Sequence, residues 1–350
     1  MKHTIKKITI ISLMACFSIM VMTTFLFAQE DNYVDDLINS PTDRLAQTGM
    51  KFLSVSVDPR GVAMGNAMTA IEHRSTAIFY NPAGMARIEG GDVFLGQTQF
   101  IADINYNAAS AAYNTPIGVF AISGVFVNYG DIERVVRADN EQGYLTDGTF
   151  APTANAIGLG YARALTDRFS VGGQVKYVTQ NLGSNATAFD DNGDYVYSSY
   201  KKNVMSYDFG VIYNTGLRSL TIGMGVRNFS REITYAEFGF ELPLTFRIGA
   251  TMNILNDFTS IDPDLHRFVV ALDTERPRDY YEQIKLGFEY TLMNTLSLRA
   301  GYIYPEDEKG LNAGAGIQRD FGGVGASVDF SYTQFGVFSN VTRFSLGLTF

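Results

Sequence analysis

The sequence predicts an all-β transmembrane protein: a 14-stranded antiparallel up-and-down outer-membrane β-barrel with a short, partly helical N-terminal hatch. Three observations predict this fold. From Phe94 onward, apolar residues alternate with polar or small ones in segments of about 9 to 12 residues, the length at which a tilted strand crosses a bilayer. Short and long connections take turns along the chain, and the last segment ends on the aromatic Phe350.

Residues 1–28 have the order of a cleaved secretory signal, with three lysines, an apolar run over 8–27 and then Ala28. An uncleaved membrane anchor is one alternative, because the apolar run is nearly long enough to span a bilayer. A lipidated Cys16 is another, but the run continues well past Cys16, where a lipoprotein becomes polar. We expect export through a cleaved signal peptide and a location in the outer membrane of a Gram-negative cell.

The composition excludes several classes of function. Cys16 is the only cysteine and lies in the predicted signal, so the mature chain has no disulfide and no thiolate metal site. Removing the three signal lysines from the 27 basic residues leaves 24 against 36 acidic ones, a net charge of −12. Nucleic acid is not expected as a partner, because binding to phosphates requires clustered Lys and Arg.

The alternation divides residues 92–350 into strands. A soluble β-sandwich also alternates, so alternation alone does not distinguish it from a barrel. The connections do, since short turns would lie at one rim and long loops, including 129–152, 182–203 and 229–241, at the other. The predicted strands are 92–101, 104–113, 116–128, 153–163, 168–181, 204–214, 218–229, 242–253, 266–274, 282–292, 295–304, 310–319, 323–333 and 340–350.

A barrel of fourteen strands has a lumen too wide for its own wall side chains to fill. We expect residues 29–91 to fill it as a hatch, with a short helix within 62–71. The rigid turn of this hatch is formed by Asn81, Pro82, Ala83 and Gly84.

Charged residues face the predicted lumen and form either a polar conduit or pairs with one another and with the hatch. Pairing is favoured, because charges away from bulk water need partners. Glycine-rich stretches at 118–124 and 156–160 either break the wall or make room for the hatch, and the second interpretation is favoured. The inward-facing charges are Lys176, Asp208, Arg227, Arg247, Asp273, Lys285, Glu289, Arg299, Asp329 and Arg343.

The hatch segment "RGVAMGNAM…STAIFYNPAGMARI" resembles the N-terminal signature of the PorV/PorQ family of outer-membrane proteins, which are relatives of the FadL-type transporters. The resemblance continues through "SYDFGVIYNTGL", "ELPLTFRIGA" and "FSYTQFGVFSNVTRFSLGLTF" and covers most of the mature chain. It implies a 14-stranded barrel in the membrane lipid, with a hatch carrying the Asn-Pro-Ala triplet at Asn81, Pro82 and Ala83.

The resemblance implies two roles, neither of them enzymatic. PorV-like proteins bind C-terminal signal domains of secreted cargo in type IX secretion and pass them to secretion-system components; this role is favoured. FadL-like proteins move hydrophobic small molecules through the barrel. For the first role, charges mixed with aromatic side chains in the long loops are typical of protein recognition. The candidate partner-binding residues are Arg134, Arg137, Tyr144, Phe150, Phe189, Tyr195 and Tyr197.

Catalytic, cofactor and metal sites are not expected. The two mature histidines, His73 and His266, lie in no hydrolase, zinc-protease or phosphate-binding motif. The acidic run 190–194 resembles the start of a calcium loop, but Tyr195 stands where that loop needs glycine. An acidic surface turn is therefore favoured over a metal site.

Overall fold

The computed structural model describes residues 47–350, apart from 73, 193–194, 236–237, 307–309, 339 and the side chains of 187–189. The predicted signal peptide, the first part of the predicted hatch and His73 lie outside these residues. Among the described residues, no helix is long and apolar enough to cross a membrane.

Fourteen antiparallel strands in the described part of the chain close into one barrel, and the prediction of a 14-stranded barrel is confirmed. The ring closes between the last strand and the first, where Leu346 lies opposite Leu95. The barrel strands, numbered in chain order with two small loop hairpins included in the count, are β1 (Gly91–Gln99), β2 (Asn105–Thr115), β3 (Gly118–Asn128), β6 (Thr153–Ala164), β7 (Phe169–Phe189), β8 (Tyr195–Asn214), β9 (Thr221–Ser230), β12 (Thr245–Asn253), β13 (His266–Pro277), β14 (Gln283–Leu292), β15 (Leu296–Tyr304), β16 (Leu311–Asp320), β17 (Gly325–Thr333) and β18 (Val341–Thr349). The hairpins are β4 (Ile132–Arg137) with β5 (Tyr144–Phe150), and β10 (Ile233–Thr234) with β11 (Gly239–Phe240).

The barrel wall is apolar outside and polar inside. Outward-facing Leu159 and Phe209 are 67% and 56% exposed, whereas inward-facing Asp208 and Glu289 are 1% exposed. A soluble sheet has the opposite arrangement, with its apolar face in the core. In a bilayer, only a ring that pairs all of its backbone groups can span with strands. The protein is therefore an outer-membrane barrel.

The described hatch, residues 47–90, lies inside this ring. Its one α-helix in the described part, α1 (Pro59–Ala63), begins after Asp58, whose carboxylate accepts two backbone N–H groups of the first turn. The chain leaves the helical conformation by Asn66, where φ is +63°. The predicted helix at 62–71 is therefore present only in its first two residues. Three 3₁₀ segments make up most of the remaining regular structure: Lys51–Ser54, Ser75–Phe79 and Pro82–Met85.

As predicted, most short turns lie at one rim of the barrel and the long loops at the other, with a few exceptions. The turns at 116–117, 165–168, 293–295 and 321–324 lie at the rim where the hatch enters β1. Short turns face the periplasm in outer-membrane barrels, so this short-turn rim is the periplasmic one and the long-loop rim is extracellular. One connection at the short-turn rim is long and contains the helix α2 (Ile254–Phe258).

The predicted long loop at 182–203 is wrong. β7 and β8 continue through most of it as a hairpin whose far end pairs Phe189 with Tyr195. Beyond the bilayer a strand needs no apolar outer face, so the period-two signal is lost there although the ladder continues. Likewise, the loop at 129–152 contains the paired strands β4 and β5, and β12 begins at Thr245, not at 242.

Candidate functional site

The turn at Asn81 docks the hatch on the barrel wall. Its side-chain Oδ1 accepts the backbone N–H of Ala83 at 3.1 Å and so caps the 3₁₀ segment Pro82–Met85. Its Nδ2 donates to the carbonyl of Thr69 at 2.7 Å and to that of Val211, in β8, at 3.1 Å. One end of the carboxamide thus shapes the turn, while the other joins two parts of the hatch to the wall.

The wall makes room for this contact with glycines. Gly210 of β8 lies directly beside Asn81, and a Cβ atom at that position would overlap the Asn81 carboxamide. Gly160 of β6 lies against Ile78, where a Cβ atom would be 2.8 Å from the Ile78 Cδ1 atom. Both glycines therefore allow the hatch to approach the backbone of the wall.

The barrel wall has no break at the glycine-rich stretches 118–124 and 156–160. β3 and β6 pair without interruption from Val119 opposite Ala162 to Asn128 opposite Thr153. The interpretation that these stretches open the wall is therefore wrong.

Ion pairs attach the hatch to the opposite side of the wall. Arg60 of α1 holds Glu289 of β14 through two hydrogen bonds of 2.7 Å. Arg299 of β15 donates to the same carboxylate at 2.6 Å and also to Asp329 of β17 at 2.6 Å. A buried carboxylate that two guanidinium groups share is a strong, directional contact. It links the hatch to strands β14, β15 and β17.

Other inward-facing charges also have partners. Asp273 accepts the backbone N–H of Thr69 at 3.0 Å, and Arg343 donates to the carbonyl of Ser56 at 3.0 Å, so both hold the hatch. Two more charges pair within the wall, where Arg247 and Lys285 both contact Glu275. These contacts fit pairing with the hatch and the wall better than an open polar conduit.

A chamber lies between the hatch and strands β3, β6, β7, β8 and β9, on the side of the hatch that faces the long-loop rim. Its space is about 490 Å³ when the part open to solvent is included. The hatch lines it with apolar side chains, namely Phe52, Leu53, Val55, Val57, Ile78 and Phe79.

The opposite side of the chamber is polar and carries an excess positive charge. Lys176 forms an ion pair of 2.7 Å with Asp208 and donates to Asn228 Oδ1 at 2.6 Å. Arg227 has no such pair, and its buried Nε has no hydrogen-bond partner among the described residues. The chamber therefore offers an apolar surface facing an arginine with unused hydrogen-bonding capacity.

A β-bulge brings Asn228 to the same inward face as Arg227. Arg227 and Asn228 of β9 together lie opposite Asp208, because the register with β8 shifts between Tyr207 and Phe209. Asn228 has φ of +61°, and its backbone N–H donates to Asp208 Oδ1 at 2.7 Å. Bulges commonly redirect a side chain, and this one cannot be read from alternation alone.

Phe79 connects the chamber to the docking turn. It packs against all three apolar clusters that the hatch forms with the wall, and its ring meets that of Phe94 edge-on at 6.2 Å between centroids. It lies two residues before Asn81. A displacement of the turn would therefore change the chamber.

The predicted loop residues come together at the long-loop rim. The Arg134 guanidinium lies 5.9 Å from the centroid of the Phe150 ring and 5.4 Å from that of Tyr197. Asp147 joins them, 3.6 Å from the Arg134 Nη1 atom and accepting a 2.5 Å hydrogen bond from the Tyr197 hydroxyl. We call these four residues the loop cluster.

The other candidates surround the loop cluster. The Tyr195 hydroxyl donates to the carbonyl of Arg137 at 3.3 Å, and Tyr144 is exposed at the start of β5. The side chain of Phe189 lies outside the described part of the structure. In the neighbouring acidic turn, Asp190 accepts the backbone N–H of Asn192 at 2.9 Å.

Possible metal and catalytic groups are few. In the described part of the chain, no group of three or more His, Cys, Asp or Glu side chains could hold a metal ion. His266 begins β13 and shares a 2.6 Å hydrogen bond with the Tyr290 hydroxyl.

Two functional side chains could not be identified from the alternation pattern, because they lie outside the strands. Arg60 and Arg74 are hatch arginines that reach inward-facing side chains of the wall, Arg74 donating to Gln318 at 3.1 Å and to Ser327. An arginine in a segment of small apolar residues was the available signal.

A scan of protein-family models finds no match to this chain, and a search of curated proteins finds none. Among solved structures, the chain is similar to the Pseudomonas putida toluene transporter TodX, with 14% identity, a TM-score of 0.56, and coverage of 83% of this chain and 96% of TodX. The CymD monoaromatic hydrocarbon channel is similar at 14% identity and a TM-score of 0.56, covering 85% and 98%. A Pseudomonas aeruginosa FadL homologue follows at 11% identity and 0.51, covering 85% and 98%.

At these identities, the similarity shows a shared fold. The named neighbours are transporters or channels and not enzymes. The PorV/PorQ resemblance and the type IX secretion role gain no support from them.

Proposed function

We propose that the protein is an outer-membrane channel for small hydrophobic molecules, which bind in the chamber before they pass the hatch. The chamber carries this proposal, because a concave, largely apolar surface facing a cationic group with an unpartnered donor is typical of a small-molecule site. The transport roles named for TodX and CymD support it.

The chamber indicates what kind of molecule would bind. Its hatch side, around Phe52 and Phe79, favours burial of apolar surface, worth about 25 cal/mol per Å². Arg227 lies on the other side, and a buried arginine is stabilised by an acceptor group. A molecule with an apolar body and a polar or anionic end would satisfy both sides, whereas a pure hydrocarbon would use only the first.

Passage requires the hatch to move. Asn81 and Phe79 belong to one turn, so release of the hydrogen bond from Asn81 to Val211 would open the floor of the chamber. The ion pairs at Arg60 would keep the remainder of the hatch attached to β14. The turn at residues 79–85 is thus the proposed moving part.

Ligand binding can be tested by fluorescence, because the chain contains no tryptophan. We expect a Phe79→Trp variant to show a saturable change in emission when toluene or octanoate is added to the detergent-solubilised protein. Adding Arg227→Met should weaken the octanoate response about tenfold or more, as loss of a charged hydrogen bond predicts, and leave the toluene response unchanged.

The matched control is Phe321→Trp, which places tryptophan in an exposed turn at the short-turn rim. Binding in the chamber would be refuted if neither toluene nor octanoate produced a saturable change in the emission of Phe79→Trp. An equal response from the Phe321→Trp control would refute it as well.

A second candidate function, recognition of a secreted protein by the extracellular loops, is favoured by one observation. The loop cluster fixes Arg134 between two aromatic rings in a hairpin that extends beyond the barrel. Native mass spectrometry of protein extracted from its own membrane would distinguish the two functions. A bound C-terminal domain of an exported protein would support recognition, whereas a retained apolar molecule without a protein would support transport.

A further inference from the structure

The opposite side of the hatch borders a pocket of different chemistry. Four arginines line it, Arg60 and Arg74 from the hatch and Arg267 and Arg299 from the wall, and we call it the arginine pocket. Its space is about 330 Å³ including the part open to solvent. It lies near the short-turn rim, where β13 and β15 begin, and therefore faces the periplasm.

Positive charge exceeds negative charge in the lining of this pocket. Its two lining carboxylates, Glu289 and Asp329, lie among four guanidinium groups. Two further carboxylates are close, but both accept hydrogen bonds from backbone N–H groups of the hatch: Asp58 caps α1, and Asp92 accepts from Ser75 at 2.7 Å.

The unmet hydrogen-bonding capacity of the lining consists of donors. Arg60 is 8% exposed, and its Nη1 is buried without a partner among the described residues, although Nε and Nη2 hold Glu289. The Nε of Arg267 is also buried without a described partner, and its Nη2 is 3.8 Å from Glu289, beyond hydrogen-bond distance. Both lining carboxylates already accept hydrogen bonds from Arg299.

We propose that the arginine pocket binds a small oxyanion, a phosphate or a carboxylate, that bridges the hatch and the wall. An oxyanion supplies acceptors without adding donors, and guanidinium groups match its oxygens in a fork geometry. A ligand that binds only when Arg60 and Arg267 are close together would stabilise the seated hatch by mass action. This site is separate from the chamber and does not depend on the proposed transport.

Isothermal titration calorimetry of the full chain in phosphate-free buffer tests the site. Inorganic phosphate and acetate are titrated separately into the wild type and into Arg267→Gln. We expect at least one anion to bind, with a dissociation constant about tenfold higher or more in the variant. Binding of phosphate alone would identify a free inorganic anion, and binding of acetate alone would identify an organic acid; each supports the site.

Arg276→Gln is the matched control. It lies on the same strand, its ion pair with Glu282 is exposed, and its side chain is 63% exposed. We expect it to bind as the wild type does. Arg267→Lys should bind with intermediate affinity, because it keeps the charge and loses the fork.

Hydrogen exchange gives an independent readout of the same site. Anion should slow exchange in residues 59–63 of the wild type but not of Arg267→Gln. Absence of binding by both anions, or equal binding by Arg267→Gln and Arg276→Gln, would overturn the proposal and leave a water-filled pocket.

Discussion

Replacing Asn81 by Asp would test whether this side chain holds the hatch to the wall. The two side chains have nearly the same shape, and a carboxylate can still accept the N–H of Ala83. It cannot donate to Thr69 or Val211, whose carbonyls lie 2.7 and 3.1 Å from the Asn81 Nδ2 atom. The substitution therefore reverses one end of the contact and leaves the other intact.

The expected loss follows from these two hydrogen bonds. Each buried acceptor left without a donor costs about 1–3 kcal/mol, so the docked turn should lose about 2–6 kcal/mol. Burial of the new charge adds to this cost, because Asn81 is 1% exposed. A loss of even about 2 kcal/mol raises the population of undocked hatch about 30-fold.

Hydrogen exchange measured by mass spectrometry reports this population for residues 69–85. We expect faster exchange there in Asn81→Asp, whereas the barrel strands keep their protection and their heat-modifiable mobility in electrophoresis. Asn114→Asp makes the same change at an exposed position near the end of β2 and should leave the hatch unaffected. Exchange in Asn81→Asp within about threefold of the wild type would refute the docking role of Asn81.

Three further substitutions probe the same assembly. Gly210→Ala should undock the turn as Asn81→Asp does, because its Cβ would overlap the Asn81 carboxamide; Gly173→Ala, where a Cβ has ordinary contacts of 3.5 Å or more, should not. Burial raises the pKa of Asp58 from 3.8 to about 6, so ionisation opposes folding above that pH. Asp58→Asn keeps an N-cap acceptor and removes this charge. At pH 8 it should raise the free energy of hatch opening by up to about 3 kcal/mol and so slow hydrogen exchange in the hatch, and its advantage over the wild type should shrink towards pH 4. Glu289→Gln leaves two buried arginines without their shared carboxylate, which should cost about 3–5 kcal/mol and lower the temperature at which residues 59–63 lose protection; an unchanged temperature would contradict this.

The barrel could be predicted because a bilayer imposes a strict pattern on every strand that crosses it. Strands such as β14 and β18 show this pattern over almost their full length. The outer parts of β7 and β8 extend beyond the bilayer and need no apolar outer face. The alternation is therefore missing from residues 182–203, and the sequence did not predict strands there. Parity correctly identified most of the short turns, and the connection at 254–265, which the sequence already shows as long where a turn is due, contains a helix.

The candidate site was only partly predictable. The turn at Asn81 could be identified by its proline, and the charges of the strands by their inward positions. The partner of Glu289 could not, because Arg60 is 229 positions away in the sequence and lies on a short helix with no periodic pattern. Alternation correctly placed Arg227 on the inner face, whereas the inward position of Asn228 depends on a bulge, which is a property of the pairing between two strands.

The two anchoring points of the hatch lie on opposite arcs of the ring. The segment Pro82–Met85 contacts β6, β7 and β8, whereas α1 contacts β15, β16 and β17, and four barrel strands separate the two arcs in each direction. The hatch therefore cross-links two arcs of the ring that do not pair with each other directly. Undocking either end would remove this cross-link and leave the two arcs joined only through the strands between them.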